Sequence, residues 1–191
     1  MCDKTIDTVD RTPAHPVTKL ALRFLSLTAV RPNEVRGMSW EEIKGDVWVI
    51  PAERMKMRKE HQVPLSRQAI EVLEVVKVFT GHGGLVFPNS RTIMKPMSEN
   101  AMGYLLNRAG YKGIHVPHGF RASFSGIMNE KYPNDRNIID LMLAHAPTNT
   151  VEAAYNRAEH LDRRKILSQI WADLLFDGAM SSQDLLLLAR R

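Results

Sequence analysis

Asp46-Val47-Trp48-Val49-Ile50-Pro51 and His61-Gln62-Val63-Pro64-Leu65 are the strand-like runs that decide the fold, and the basic segment Arg54-Met55-Lys56-Met57-Arg58-Lys59 lies between them. β-Branched and aromatic residues in short runs bounded by turn residues favour extended backbone. The two runs predict an antiparallel hairpin with the basic segment at its tip. Pro64 offers no amide hydrogen, so its strand lies at an edge or ends early. Elsewhere the apolar residues recur mostly at helical spacing. The expected fold class is therefore α+β, mostly α-helical, with a small antiparallel sheet in the N-terminal half.

Upstream of the hairpin, Val17, Leu20, Ala21, Phe24, Leu25 and Leu27 predict a helix that starts near Pro16. Pro32 disfavours the helical conformation at Arg31, which places Arg31 at or just past the helix end. A short helix is expected from Asn33 to Met38. Residues 1–13 read as a polar, flexible lead-in. Downstream, Ser66 can cap a helix through Ala69, Ile70, Leu73, Val76 and Phe79, which Gly81-His82-Gly83-Gly84 breaks. Leu85-Val86-Phe87 is a short apolar stretch before another loop. Ser98 can cap a helix ending at Gly110, and His118 opens a further one. Asn134–Leu143, Val151–Tyr155 and Leu161–Phe176 predict three more, and Gly178 separates a last segment over Asp184–Arg191.

The chain has 191 residues, 44% of them apolar, which is enough for one full core. Its net charge is +5, from 26 Lys and Arg against 21 Asp and Glu. That balance favours a polyanionic partner without proving one. Cys2 is the single cysteine, so no internal disulfide and no cysteine-built zinc site can form. No apolar run approaches the roughly 20 residues that span a bilayer. These features predict a soluble, cytoplasmic protein with no membrane partner.

Five positions suit phosphate chemistry: Arg31, Lys56, His118 with Arg121, and Tyr155. A guanidinium fork holds two phosphate oxygens at once and stays charged. Arg31 and Arg121 could clamp a phosphate, or be ordinary surface or ion-paired arginines. Glu34, three residues after Arg31, could orient it or be a simple surface carboxylate. His118 and Arg121 share a helix face near an N-terminus, where anions are favoured. Taken alone, they fit a helix-start histidine beside a solvated arginine slightly better. Tyr155 is a candidate nucleophile. Its phenol, with a pKa of about 10, needs nearby cations and a histidine to take its proton. The bland reading is an amphipathic residue on a helix face. Lys56 can protonate a leaving oxygen, with Lys59 as its rival; otherwise the basic turn contacts phosphates by charge alone. His145 begins a turn that could return to the same pocket.

In order and spacing these residues resemble the catalytic domain of the tyrosine recombinase (phage integrase) family. Arg31 with Glu34 resembles the family's first arginine motif. Lys56 resembles the lysine between its second and third strands. His118-Gly119-Phe120-Arg121 fits His-x-x-Arg, and Leu143-Ala144-His145 resembles Leu-Gly-His, with Ala144 in place of the commoner glycine. Tyr155 falls where the nucleophile belongs. Arg54-Met55-Lys56-Met57 and Ala153-Ala154-Tyr155-Asn156-Arg157-Ala158 look most like prophage and genomic-island integrases of the P4 type.

The resemblance implies a bacterial or phage-encoded site-specific recombinase with the family's catalytic-domain fold over residues 14–178. It implies attack by Tyr155 to form a 3′-phosphotyrosine, with Lys56 protonating the leaving oxygen and Arg31, Arg121, His118 and His145 holding the phosphate. No cofactor or metal is implied. The implied partners are double-stranded DNA attachment sites, a tetramer of this chain on DNA (a monomer alone), and accessory DNA-bending or directionality factors. Residues 179–191 would form a tail helix that docks on a neighbouring protomer or on its own domain. Arg31 comes too early for the N-terminal DNA-binding domains of the family, so an isolated catalytic domain of weak or no activity is expected. A non-catalytic DNA-binding module of the same fold, or an enzyme resembling the type IB topoisomerases, are the competing readings.

Overall fold

The computed structural model describes residues 2–145 and 160–188. At its centre lies α2 (Pro16–Thr28), buried on almost every side from Val17 to Leu27. A helix apolar around most of its circumference needs partners on several faces. These are α1 (Cys2–Arg11), α4 (Arg67–Thr80), α5 (Ala101–Leu106), α6 (Gly119–Lys131), α8 (Leu161–Phe176) and α9 (Ser182–Leu188). Two further helices, α3 (Pro32–Arg36) and α7 (Arg136–Met142), are short and carry the ends of the site described below. Among the described residues, no helix is long and apolar enough to cross a membrane.

The expected hairpin is present. Strands β1 (Ile43–Lys44), β2 (Val47–Ile50) and β3 (His61–Pro64) form an antiparallel sheet in the order β1-β2-β3. Trp48 pairs with Val63 and Ile50 with His61, and all four side chains are buried. The period-2 rule puts these pairs on one face, where the Trp48 ring lies 5.6 Å from Phe24 of α2. Pro64 closes the edge strand β3, as its missing amide requires. Ser66 caps α4 by accepting a bond from the Ala69 amide at 3.3 Å.

Three expectations need correction. The first thirteen residues are not a flexible lead-in: most of them form α1, with Ile6 and Val9 three apart on a buried face. Asp10 of α1 takes a two-pronged bond from Arg23 of α2, at 3.0 Å to Nε and 2.5 Å to Nη2, and both side chains are buried. The polar composition hid this packing because the ion pair joins two helices. Second, Leu85-Val86-Phe87 leads into a second hairpin, β4 (Pro88–Asn89) with β5 (Thr92–Pro96), too short and exposed to show a strand pattern. Third, α5 starts at Ala101 with Asn100 before it, and Ser98 does not cap it.

The tail helix α9 exists, and its start packs on its own domain. Arg23 donates to Ser182 Oγ at 3.2 Å and to the Met180 carbonyl at 2.8 Å, and Leu185 is fully buried. Helix α8 runs over the residues expected of it. Trp171 anchors it, donating to the Ser26 carbonyl at 2.8 Å and meeting Phe124 of α6 edge-on at 5.3 Å. The expected helix Val151–Tyr155 lies outside the described residues.

Candidate active site

Helix α2 stops at Ala29, which takes the left-handed conformation (φ 50°, ψ 24°) and donates its amide to the Leu25 carbonyl at 2.9 Å. Arg31 follows in extended backbone (φ −76°, ψ 144°), as the proline after it demands. Glu34 then reaches back one turn. Its Oε2 accepts from the Arg31 amide at 2.8 Å and its Oε1 from Arg31 Nη1 at 2.9 Å. Glu34 is buried while Arg31 is about a quarter exposed, at 24%. The carboxylate is thus fully committed to Arg31. The guanidinium keeps N–H groups for an outside anion.

Arg121 sits one turn into α6 and points inward, 6% exposed. It donates through Nη1 to the Ala29 carbonyl at 2.8 Å and through Nη2 to the Leu143 carbonyl at 2.6 Å. Its pKa falls to about 10, first from burial and then from the positive charge of Arg31, with Glu34 opposing. Arg31 and Arg121 therefore feel one another across a site rimmed by Glu34. At this pKa the guanidinium stays charged at neutral pH.

The Leu143 carbonyl belongs to the end of α7. Ala144 is left-handed (φ 49°), its amide bonds the Leu141 carbonyl at 3.0 Å, and the His145 amide bonds the Asp140 carbonyl at 3.0 Å. That bond pair defines a Schellman stop, and glycine is its usual left-handed residue. His145 is half exposed, with Nδ1 3.1 Å from Oδ1 of the equally exposed Asp140. His118 occupies the N-cap position of α6, exposed, and its side chain caps no amide there.

Lys56 is exposed on the loop between β2 and β3, where the sequence put it. The loop is anchored just before it. Arg54 pairs with Glu42 and donates to the Glu34 carbonyl of α3. A Cβ at Gly37 would lie 3.0 Å from Arg54 Nη2, so a larger residue there would press on this contact. Met55 is buried, and the Arg58 amide bonds its carbonyl at 3.0 Å, so Lys56 rides a tight turn over a fixed base.

The structure thus brings Arg31, Glu34, Arg121 and the His145 turn into one bonded set. Lys56 stands on an anchored loop that Arg54 ties to the Glu34 backbone, and His118 lies one turn before Arg121. Tyr155 lies outside the described residues. The sequence reading missed Arg54 as an anchor, and it missed His61 and Arg164. His61 is 8% exposed, and its Nε2 lies 3.2 Å from the Met142 carbonyl. Its pKa drops to about 3, chiefly from burial, then from Arg164, with weaker pushes from Arg121 and Arg31. Arg164 of α8 is buried too and donates to the Gln62 carbonyl of β3. Strand alternation could have revealed His61, since it shares Val63's inward face. Nothing in Asp162-Arg163-Arg164-Lys165 marks which arginine turns in.

Comparison with known proteins agrees with this geometry. Residues 2–161 match the phage integrase family profile. Prophage integrase IntA of Escherichia coli K12 is 38% identical over 161 residues, covering 83% of this chain and 38% of that protein. The integrase of Enterobacteria phage P4 is 38% identical over 176 residues, covering 83% and 40%. The chain therefore spans about two fifths of these relatives' length, 38% and 40%. Among solved structures, XerH site-specific recombinase bound to its difH substrate superposes with a TM-score of 0.62 at 18% identity, over 85% of this chain and 50% of that one. A lambda integrase dimer bound to a COC′ core site gives 0.60 at 16%, over 76% and 56%. These likenesses establish the fold as that of tyrosine recombinase catalytic domains. By the profile match and the curated relatives together, the chain belongs to the phage integrase family.

Proposed function

We propose that this chain is the catalytic domain of a site-specific DNA recombinase that cleaves and rejoins strands through a 3′-phosphotyrosine intermediate. The observation that carries the reading is Arg121 bridging the Ala29 and Leu143 carbonyls, which brackets Arg31 and His145 around one buried cation. Two guanidinium groups near enough for Arg31 to lower the pKa of Arg121 suit a phosphate whose charge grows in the transition state. Among the described residues Arg121 uses one N–H from each terminal nitrogen on backbone, which leaves further donors for phosphate oxygens.

In the proposed step the Tyr155 phenol oxygen forms a bond to phosphorus and the bond to the 5′ oxygen breaks. The phenol proton passes to a histidine, His118 or His145, and Lys56 gives a proton to the departing 5′ oxygen. Attack by a 5′-hydroxyl from a partner strand reverses the sequence. The phosphotyrosine keeps the energy of the phosphodiester, so the reaction consumes no nucleotide and calls for no metal.

The catalytic unit is residues 14–178, and α1 (Cys2–Arg11) packs against it. Its partner is double-stranded DNA at attachment sites, on which four copies assemble with accessory bending or directionality factors in the bacterial cytoplasm. Binding carried by Lys and Arg contacts to phosphates falls steeply as salt rises.

The test is a nicked suicide DNA site that traps the covalent adduct. Wild type forms it and Tyr155→Phe does not. An adduct that persists in Tyr155→Phe refutes the nucleophile assignment. No adduct with wild type, either alone or joined to a relative's N-terminal domains, favours a non-catalytic DNA-binding module.

A further inference from the structure

Four donors converge on the end of α7. Arg121 takes the Leu143 carbonyl, and the backbone supplies the two Schellman bonds, from the Ala144 and His145 amides. The fourth donor is His61 on the Met142 carbonyl. A carbonyl only accepts, so His61 Nε2 carries the proton, and burial with the nearby Arg164 charge keeps the ring neutral. Helix ends leave their last carbonyls without intrahelical donors, and a buried one needs a partner from elsewhere.

His61 is also the first residue of β3, paired with Ile50 of β2. These two residues close the base of the loop that carries Lys56. One side chain thus ties the Lys56 loop to the turn that carries His145. Charges near the ring are Arg164 on α8, Arg121 on α6 and Arg31 before α3. A protonated imidazole would add a fourth cation to that group, so the site admits a neutral donor at this point and nothing larger in charge.

We infer that His61 is a positioning residue for strand cleavage, setting the His145 turn against the Lys56 loop through its bond to the Met142 carbonyl. The inference rests on the recombinase reading for its catalytic part. Its structural part stands on the bond alone. His61 contacts no reacting atom, so its effect must run through Lys56 and His145.

The decisive variants are His61→Leu, which fills the space without a donor, and His61→Gln, whose amide nitrogen reaches about as far as Nε2. Residue-resolved amide exchange and single-turnover cleavage of the suicide site are measured on both. In His61→Leu, exchange at Ala144 and His145 rises at least tenfold while that of Val72, Val75 and Val76 in α4 is unchanged. Cleavage slows by tenfold or more at unchanged DNA affinity. In His61→Gln, slow exchange and most of the cleavage rate return. Wild-type exchange in His61→Leu overturns the inference, as does a glutamine variant no better than leucine. So does faster exchange everywhere, which marks a merely structural residue. Absence of cleavage by wild type strikes the recombinase reading, and the exchange comparison still decides the role of His61.

Discussion

Helices α2 and α7 both end on a left-handed alanine, Ala29 at φ 50° and Ala144 at φ 49°, and Arg121 donates to a carbonyl at each end. Beyond each stop sits a candidate phosphate ligand, Arg31 or His145. The support differs. Arg31 is held from within its own segment, since Glu34 takes both its amide and its guanidinium three residues away. His145 has local Schellman bonds and Asp140 nearby, at 3.1 Å and half exposed, but the carbonyls of its turn also take distant donors: Arg121 from α6 and His61 from β3. One half of the site holds its phosphate ligand from within its own segment. The other is assembled by tertiary packing, so it should yield first when packing is disturbed.

The sharpest way to break this comparison is to remove the bridge common to both ends. Arg121→Met leaves the Ala29 and Leu143 carbonyls without a charged donor. Each such loss costs about 1–3 kcal/mol, so a total of about 3 kcal/mol is expected in denaturant melts, with loss of cleavage. Arg121→Lys keeps the charge but cannot span two carbonyls, and should recover less than half of either quantity. A lysine variant of wild-type stability would mean that the two ends are not bridged through this residue.

Next comes the locally built half. Glu34→Gln keeps the shape but removes the buried charge opposite Arg31. The expected cost is about 1–2 kcal/mol, smaller than at Arg121 because Arg31 can turn to solvent. Adduct formation should fall at least tenfold, since Arg31 loses its fixed orientation. Amide exchange at His145 should not change. Faster exchange there would show that the two halves are not independently supported.

Acid probes the tertiary half. His61 titrates near 3 in the fold against about 6.5 in the unfolded chain. Between those values the unfolded state binds a proton that the folded state refuses, so stability falls as pH falls through that window. This one group contributes at most about 1.4 kcal/mol per pH unit. Melts of wild type and His61→Gln at pH 6.5, 5.5 and 4.5 isolate it, because carboxylates common to both chains cancel in the difference. The wild type should lose stability faster by nearly that slope. Parallel curves would mean that the ring is protonated, or exposed, in the fold.

The same division explains what the sequence made legible. The helix stop before Arg31, the Glu34 spacing, the Lys56 hairpin and the α6 start at His118 are encoded within a few residues, by Pro32, by an i,i+3 carboxylate and by strand alternation. Sequence reading found all of these. Helix α1 and the anchors Arg54, His61 and Arg164 depend on partners far along the chain: Asp10 with Arg23, Arg54 with Glu42, His61 with Met142, Arg164 with Gln62. A polar residue chosen for a distant carbonyl or carboxylate looks locally like any solvated one. The roles proposed for Tyr155 rest on its motif, since the structure describes residues up to His145 and again from His160.

The smallest effect separates the two alanines themselves. A β-carbon in the left-handed region costs about 1 kcal/mol relative to glycine. Both positions are strained, yet their surroundings differ: the Ala29 methyl is buried, at 1% exposure, while Ala144 is only partly buried. Ala144→Gly should therefore stabilise the protein by about 0.5–1 kcal/mol, with slower exchange at His145. At Ala29 the lost methyl burial, worth about 0.8 kcal/mol, offsets most of the relief, so Ala29→Gly should be near neutral. Paired thermal melts resolve the difference. Equal gains at both sites would mean that burial of the Ala29 methyl contributes nothing. A loss at Ala144 would mean that its turn is not left-handed in solution, and the Schellman stop that sets His145 would have to be abandoned.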